Sequence, residues 1–136
     1  SKYPHVKREY TYGNSRFDLA VSNERETILI EAKCVTLVKE NKVAAFPDAP
    51  TIRGRKHLYE LIEAKEKGLR AAVFFIVQRN DAIKFTPNYE RDRGFAEAVK
   101  EASKRGVEFY AYTCDVTPKM IKINKEIPII LPWKWK

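Results

Sequence analysis

The chain has 136 residues, 44% of them hydrophobic, so it is long enough for one buried core and too short for two ordinary domains. Its longest apolar stretch, Ala71 to Val77, is about a third of the length that a membrane-spanning helix needs, which excludes such a helix. Lysine and arginine number 26 against 18 acidic residues, a formal charge of +8 that favours polyanionic partners.

We therefore expect one soluble domain over residues 1–136. Ser1 to Val6 lack the apolar centre of a signal peptide, which predicts a cytoplasmic location. Cys34 and Cys114 do not have the spacing of a zinc site or a disulfide framework, and both are predicted to be small core residues. The basic residues are spread along the chain, as in a charged folded surface, which is also typical of heat-adapted proteins.

Three strands are predicted at the start of the chain. Arg8 to Tyr12 and Ser15 to Ser22 form a hairpin closed by the turn residues Gly13-Asn14. Thr27 to Leu37 is rich in β-branched residues and forms the third strand. Lys39 to Pro50 has no clear period and contains two prolines, so we predict a loop there.

Two helices and two more strands are predicted in the remainder. Thr51 begins a helix that runs to about Lys67, and Asp92 begins a second that ends at Gly106. The apolar run within Leu69 to Gln78 predicts a strand covered on both faces. With a last strand over Val107 to Cys114, the order predicts a mixed α/β fold with a central mixed sheet flanked by helices.

Candidate catalytic residues lie on the second and third predicted strands. Glu31 and Lys33 are two residues apart and share a strand face, and Asp18 on the preceding strand can lie across from Glu31. Two carboxylates and a backbone carbonyl, that of Ala32, form the partial oxygen shell that Mg²⁺ or Mn²⁺ accepts. Lys33 would then hold or deprotonate the water that attacks a phosphodiester. On spacing alone, an exposed ion pair worth under ~1 kcal/mol is the better-supported interpretation.

Several longer segments of the sequence resemble a known protein family. Ser15 to Asp18, Glu31 to Leu37, Phe46 to Leu58, Val73 to Arg79 and Phe85 to Asn88 together resemble the sugar fermentation stimulation protein A family. The resemblance spans nearly the whole chain, and the block from Phe46 to Leu58 is its most specific part.

The resemblance implies a fold and an activity. The C-terminal part of that family is similar to PD-(D/E)XK nucleases, whose motif corresponds here to Asp18, Glu31 and Lys33. It implies a restriction-endonuclease-like fold and Mg²⁺ or Mn²⁺ bound by Asp18, Glu31 and the carbonyl of Ala32. The family's preceding OB-like domain, which is implicated in nucleic-acid binding, is absent from these 136 residues.

Residues of the first helix and the loop before it are candidates for auxiliary roles. Arg53 and Lys56 are predicted to contact DNA phosphates near the helix N-terminus, although a solvated polar face is the alternative. His57 is a candidate for proton transfer or for a hydrogen bond to the loop, and we favour the second. Asp48 is either a third metal-linked carboxylate or a turn former, and the turn is better supported.

Two further features remain outside the predicted site. Glu9 precedes Asp18 on the first strand, where related nucleases carry an extra acid, but the correspondence is loose. Trp133 to Lys136 interleaves aromatic rings with bases as some single-strand binders do, although a tail packed on the body is the preferred interpretation.

The leading hypothesis from the sequence is a metal-dependent deoxyribonuclease with largely non-specific DNA binding. The alternative is a non-catalytic DNA-binding regulatory protein linked to sugar metabolism. We expect DNA as partner, no small-molecule cofactor and no membrane association, and the sequence is compatible with a homo-oligomer.

Overall fold

The computed structural model of the protein describes residues 5–12 and 15–131. The predicted hairpin turn at Gly13-Asn14 and the tail Trp133 to Lys136 lie outside the described residues. The described elements, in chain order, are β1 (His5–Tyr12), β2 (Ser15–Ser22), β3 (Thr27–Val35), β4 (Leu37–Val38), β5 (Val43–Phe46), α1 (Ile52–Glu66), β6 (Arg70–Val77), β7 (Lys84–Pro87), α2 (Arg93–Lys104), β8 (Glu108–Thr117) and β9 (Met120–Ile127).

The larger sheet has six strands in the order β1-β2-β3-β6-β8-β9. Its central pairs, β3 with β6 and β6 with β8, are parallel. The outer pairs, β1 with β2, β2 with β3 and β8 with β9, are antiparallel. The predicted fold class, a mixed central sheet with helices packed against it, is therefore confirmed.

A second, three-stranded sheet was not predicted. It has the order β4-β5-β7, and β5 pairs in parallel with β7. The prediction of a loop over Lys39 to Pro50 is therefore wrong, because β5 lies within it. These strands are only two to four residues long, and β5 pairs with a segment some 40 positions away (Val43 with Lys84), so they leave no periodic pattern in the local sequence.

Both helices confirm their predicted caps. The Thr51 hydroxyl accepts the Gly54 N–H at 2.9 Å, and the Asp92 carboxylate accepts the Phe95 N–H at 2.9 Å. Gly68 and Gly106 follow the two helix ends with φ of 98° and 95°, which a residue with a side chain rarely adopts. No helix in the described ranges has the length and apolar character needed to cross a membrane.

The core lies between the helices and one face of the larger sheet. Val73, Phe75 and Val77 of β6 are fully buried there, together with residues of α1 and α2. Phe74 and Ile76, which point to the other face, are partly exposed. The prediction that this strand is covered on both faces is therefore wrong for the described residues, because both helices contribute to the same core.

The two cysteines differ in burial. Cys114 is buried, and its Sγ donates to the carbonyl oxygen of Val77 at 3.1 Å, as expected for a core residue. Cys34 is exposed, so its prediction as a core residue is wrong. It alternates with the buried Val35 on β3 and lies on the face of the sheet away from the helices.

Candidate active site

The end of the β2–β3 pairing brings the predicted catalytic residues together. The two strands are antiparallel, with Leu19 opposite Ile30 and Ala20 opposite Leu29. Continuing this register by one residue would place Asp18 opposite Glu31. Regular pairing stops before that position, so both carboxylates lie where the two strands begin to separate.

Asp18 binds the backbone of the neighbouring strand at this point. Its Oδ2 accepts the Ala32 N–H at 2.7 Å, in place of a main-chain carbonyl of β2. The N–H and C=O of one strand residue point to the same edge, so the Ala32 carbonyl is also directed toward β2. Asp18 and Ala32 are both exposed. This edge therefore presents a carboxylate and a backbone carbonyl to solvent.

Glu31 is the buried member of the group, with a relative exposure of 4%. Its Oε2 is 3.2 Å from Lys33 Nζ and 2.6 Å from His57 Nδ1. A buried carboxylate is costly unless it is paired and hydrogen-bonded. The interpretation of Glu31 and Lys33 as an exposed surface pair is therefore wrong, because the carboxylate is buried and has His57 as a second partner.

His57 comes from the inner face of α1. The buried residues of this helix include Leu58, Leu61 and Ile62, and His57 is buried beside them. The ring of Phe17, which is fully buried, packs against the imidazole with 5.8 Å between ring centroids. Among the described residues, the hydrogen bond of His57 is to Glu31 and none joins it to the loop before the helix, so the favoured prediction for its hydrogen bond is wrong.

The other auxiliary candidates lie on the surface. Arg53 and Lys56 are exposed on α1, and Lys56 Nζ is 3.7 Å from Glu60 Oε1. Asp48 is exposed in the bend between β5 and α1, and no hydrogen bond or ion pair among the described residues joins it to Glu31. Its place in a bend agrees with the predicted turn, whereas the metal-linked alternative has no contact to support it.

A contact that the sequence did not reveal holds the start of α1. Asp92 Oδ2 accepts the Thr51 N–H at 2.7 Å, and Arg55 Nη2 lies 3.3 Å from Asp92 Oδ1. Burial by itself would raise the pKa of Asp92, but the N–H donors of Thr51 and Phe95 and the Arg55 guanidinium together lower it. The positions 51 and 92 both had helix-cap signals, but nothing local linked them.

The residues at this edge fit a hard divalent cation by the chemistry of their donors. Among residues 5–12 and 15–131, no group of three or more His, Cys, Asp and Glu side chains is arranged to hold a metal ion. Mg²⁺ is commonly bound through one or two carboxylates, with water and substrate phosphate as its other ligands. Asp18 and Glu31 with the Ala32 carbonyl meet that requirement without a third acidic side chain.

Comparison with known proteins agrees with the resemblance seen in the sequence. The family model described as sugar fermentation stimulation protein RE domain matches residues 1–120. A sugar fermentation stimulation protein homolog of Alkaliphilus metalliredigens is 62% identical over 129 residues, which cover 94% of this chain and 56% of that protein. The homolog of Caldanaerobacter subterraneus is 50% identical over 129 residues, with coverage of 95% and 56%. The chain thus spans about half the length of the curated relatives it matches.

A solved structure is also similar over most of the chain. It is SfsA of Pyrococcus furiosus in complex with Ca²⁺, with a TM-score of 0.83 and 34% sequence identity. The similarity covers 91% of this chain and 54% of that chain. Fold and sequence therefore indicate the same family.

Proposed function

The chain belongs to the sugar fermentation stimulation protein family, and on that premise we propose that it is a divalent-metal-dependent nuclease domain that hydrolyses DNA phosphodiester bonds. The observation that carries the proposal is the buried Glu31 carboxylate, bonded to Lys33 at the strand edge where Asp18 is exposed. A binding surface alone has no need to bury a charged pair at that edge, because burial of charge costs stability.

Asp18, Glu31 and the carbonyl of Ala32 are the proposed ligands of Mg²⁺ or Mn²⁺. When bound, such an ion lowers the pKa of water and neutralises charge on phosphate oxygens. Ca²⁺, which is present in the related Pyrococcus furiosus structure, is also a hard cation that prefers oxygen ligands, and this supports the assignment.

Lys33 is the residue proposed to act on the attacking water. Its side chain is 17% exposed, so the ammonium lies at the boundary between the buried Glu31 and the solvent. From there it can donate a hydrogen bond to the attacking water or to a non-bridging phosphate oxygen. In the reaction, the water oxygen forms a bond to phosphorus and gives up one proton to the solvent, the bond from phosphorus to the leaving oxygen breaks, and the leaving oxygen takes up one proton from the solvent.

Arg53 and Lys56 are the proposed phosphate contacts. They lie on the helix that carries His57 into the Glu31 group, so α1 connects the exposed bases to the proposed centre. The ion pair of Lys56 with Glu60 is at the surface and is expected to contribute under ~1 kcal/mol, so phosphate can replace it. With a charge of +8, DNA binding is proposed to be largely electrostatic and non-specific.

A second candidate is a non-catalytic DNA-binding protein linked to the regulation of sugar use. One observation favours it: Asp18 Oδ2 and Glu31 Oε2 already bond to protein groups. A nuclease assay separates the two candidates. Labelled single-stranded and double-stranded DNA are incubated with Mg²⁺, with Mn²⁺ and with a chelator, using the wild type and Glu31→Gln. Cleavage by the wild type alone, and only with metal, supports the nuclease; DNA binding without cleavage under every condition supports the regulatory protein.

A further inference from the structure

Two side chains, those of His57 and Lys33, contact the same oxygen of the buried Glu31 carboxylate. One is a ring held in the core and the other is a flexible chain. We propose that His57 is a positioning residue that holds Glu31 in the orientation needed to bind the divalent cation. This inference rests on the proposed function, and it assigns a role to a residue outside the Asp18, Glu31 and Lys33 motif.

The proposal includes a direction for this hydrogen bond. A carboxylate oxygen is an acceptor, so in the proposed arrangement Nδ1–H of His57 donates to Glu31 Oε2 at 2.6 Å. The short distance is typical of a bond to a charged acceptor. The contacts of Glu31 with His57 and with Lys33 both use Oε2. Oε1 has no hydrogen-bond partner among the described residues and is thus the oxygen proposed to face the cation.

Of the two partners, His57 is the better suited to fix the carboxylate. Its ring is held by α1 and by the fully buried Phe17, and its side chain is 10% exposed. Lys33 has a flexible four-carbon stem, and its ammonium is proposed to serve the attacking water. A partner that must respond to substrate cannot also fix the ligand, so the positioning role falls to His57.

The expected consequence is a loss of metal affinity when the donor is removed. Ligands of a metal are usually oriented by hydrogen bonds from residues behind them, and removal of such a partner weakens metal binding about 10- to 100-fold. His57→Phe keeps a planar ring of similar size but removes the donor. His57→Asn places a side-chain N–H close to the position of Nδ1, so it can restore the bond to Glu31.

The test is titration calorimetry with Mn²⁺ and no DNA, on the wild type, His57→Phe and His57→Asn. Glu63→Gln on the exposed face of α1 is the matched control. We expect His57→Phe to bind Mn²⁺ about 10- to 100-fold more weakly, while His57→Asn and Glu63→Gln remain close to the wild type. Equal affinity of His57→Phe and the wild type overturns the positioning role. So does a His57→Asn variant that binds as weakly as His57→Phe, since the donor would then not be what matters.

The outcomes also separate this inference from the proposed function. Thermal unfolding without metal checks that each variant is folded. If His57→Phe is not folded, the Mn²⁺ affinity of His57→Asn is compared with that of the wild type instead. If the wild type binds no Mn²⁺, the proposed function fails and this inference fails with it. If the wild type binds Mn²⁺ and cleaves DNA but His57→Phe binds equally well, the positioning role alone is wrong.

Discussion

Asp92 Oδ2 accepts the backbone N–H of Thr51 at 2.7 Å, so the residue that caps α2 also holds the residue that caps α1. Its second oxygen, Oδ1, accepts the Phe95 N–H and pairs with Arg55. Asp92 is itself buried. Because α1 carries His57 to Glu31, this carboxylate stabilises the helix that completes the proposed centre.

Replacing Asp92 should therefore destabilise the fold. Asp92→Ala removes a helix cap and leaves the Thr51 N–H without its acceptor, so we expect a loss of about 1–3 kcal/mol in the free energy of unfolding. Asp92→Asn keeps a capping oxygen for Phe95 but loses the charge opposite Arg55, and it should lose less. Urea denaturation of the three proteins measures the difference. Identical midpoints and slopes for all three would show that the Asp92 contacts do not contribute to stability.

The lowered pKa of Asp92 also predicts a pH dependence. A carboxyl whose pKa is lower in the folded state adds stability that is fully present above its unfolded pKa, about 3.9, and is lost as pH falls through the folded value. The stability difference between the wild type and Asp92→Asn should accordingly shrink as pH is lowered through this range. Urea denaturation at a series of pH values measures it, and a difference that stays constant down to about pH 2 contradicts the prediction.

Glu31→Gln should weaken Mn²⁺ binding strongly. The substitution keeps the size of the side chain but removes the negative charge from one of two proposed carboxylate ligands, and hard cations bind charged oxygens best. Titration calorimetry with Mn²⁺ on the wild type and Glu31→Gln measures the effect. Glu63→Gln again serves as the control for loss of one acidic charge. Equal affinity in the wild type and Glu31→Gln would remove Glu31 from the metal site.

Lys33→Ala should abolish DNA cleavage while metal binding and DNA affinity stay nearly intact. Loss of a group that orients or activates the nucleophile costs roughly 10² to 10⁴ in rate, whereas DNA affinity is shared among 26 basic residues. Cleavage is measured with Mn²⁺, and DNA affinity with Ca²⁺, on the same preparation. If Lys33→Ala cuts as fast as the wild type, the nuclease activity belongs to another site or to a contaminant.

DNA affinity should fall steeply with salt and should depend on α1. Each neutralised phosphate contributes about one unit to the slope of log affinity against log salt. Changing Arg53 and Lys56 together to Gln should thus reduce that slope by about two units. Fluorescence anisotropy with labelled duplexes of different sequence measures it. A salt-independent affinity, or a strong preference for one duplex, would contradict non-specific electrostatic binding.

Local signals predicted the long elements well. Cap residues at Thr51 and Asp92 and glycines after both helices marked α1 and α2 correctly, because caps and stops act within a few residues. The short strands β5 and β7 were missed, because each is stabilised by its partner rather than by its own residues. β9 was also missed, since the polar run Asn124, Lys125 and Glu126 interrupts the alternation of the strand.

For the proposed centre, the sequence by itself determined the identities and spacing on one strand: Glu31 and Lys33 share a face because side chains alternate along β3. Only the tertiary structure decided that Glu31 is buried, that Asp18 binds the Ala32 N–H, and that His57, 26 positions away in the sequence, reaches Glu31 Oε2. The physical reason is that these contacts depend on how α1 packs against the sheet and on where the β2–β3 pairing stops. Neither is set by residues close together in the chain.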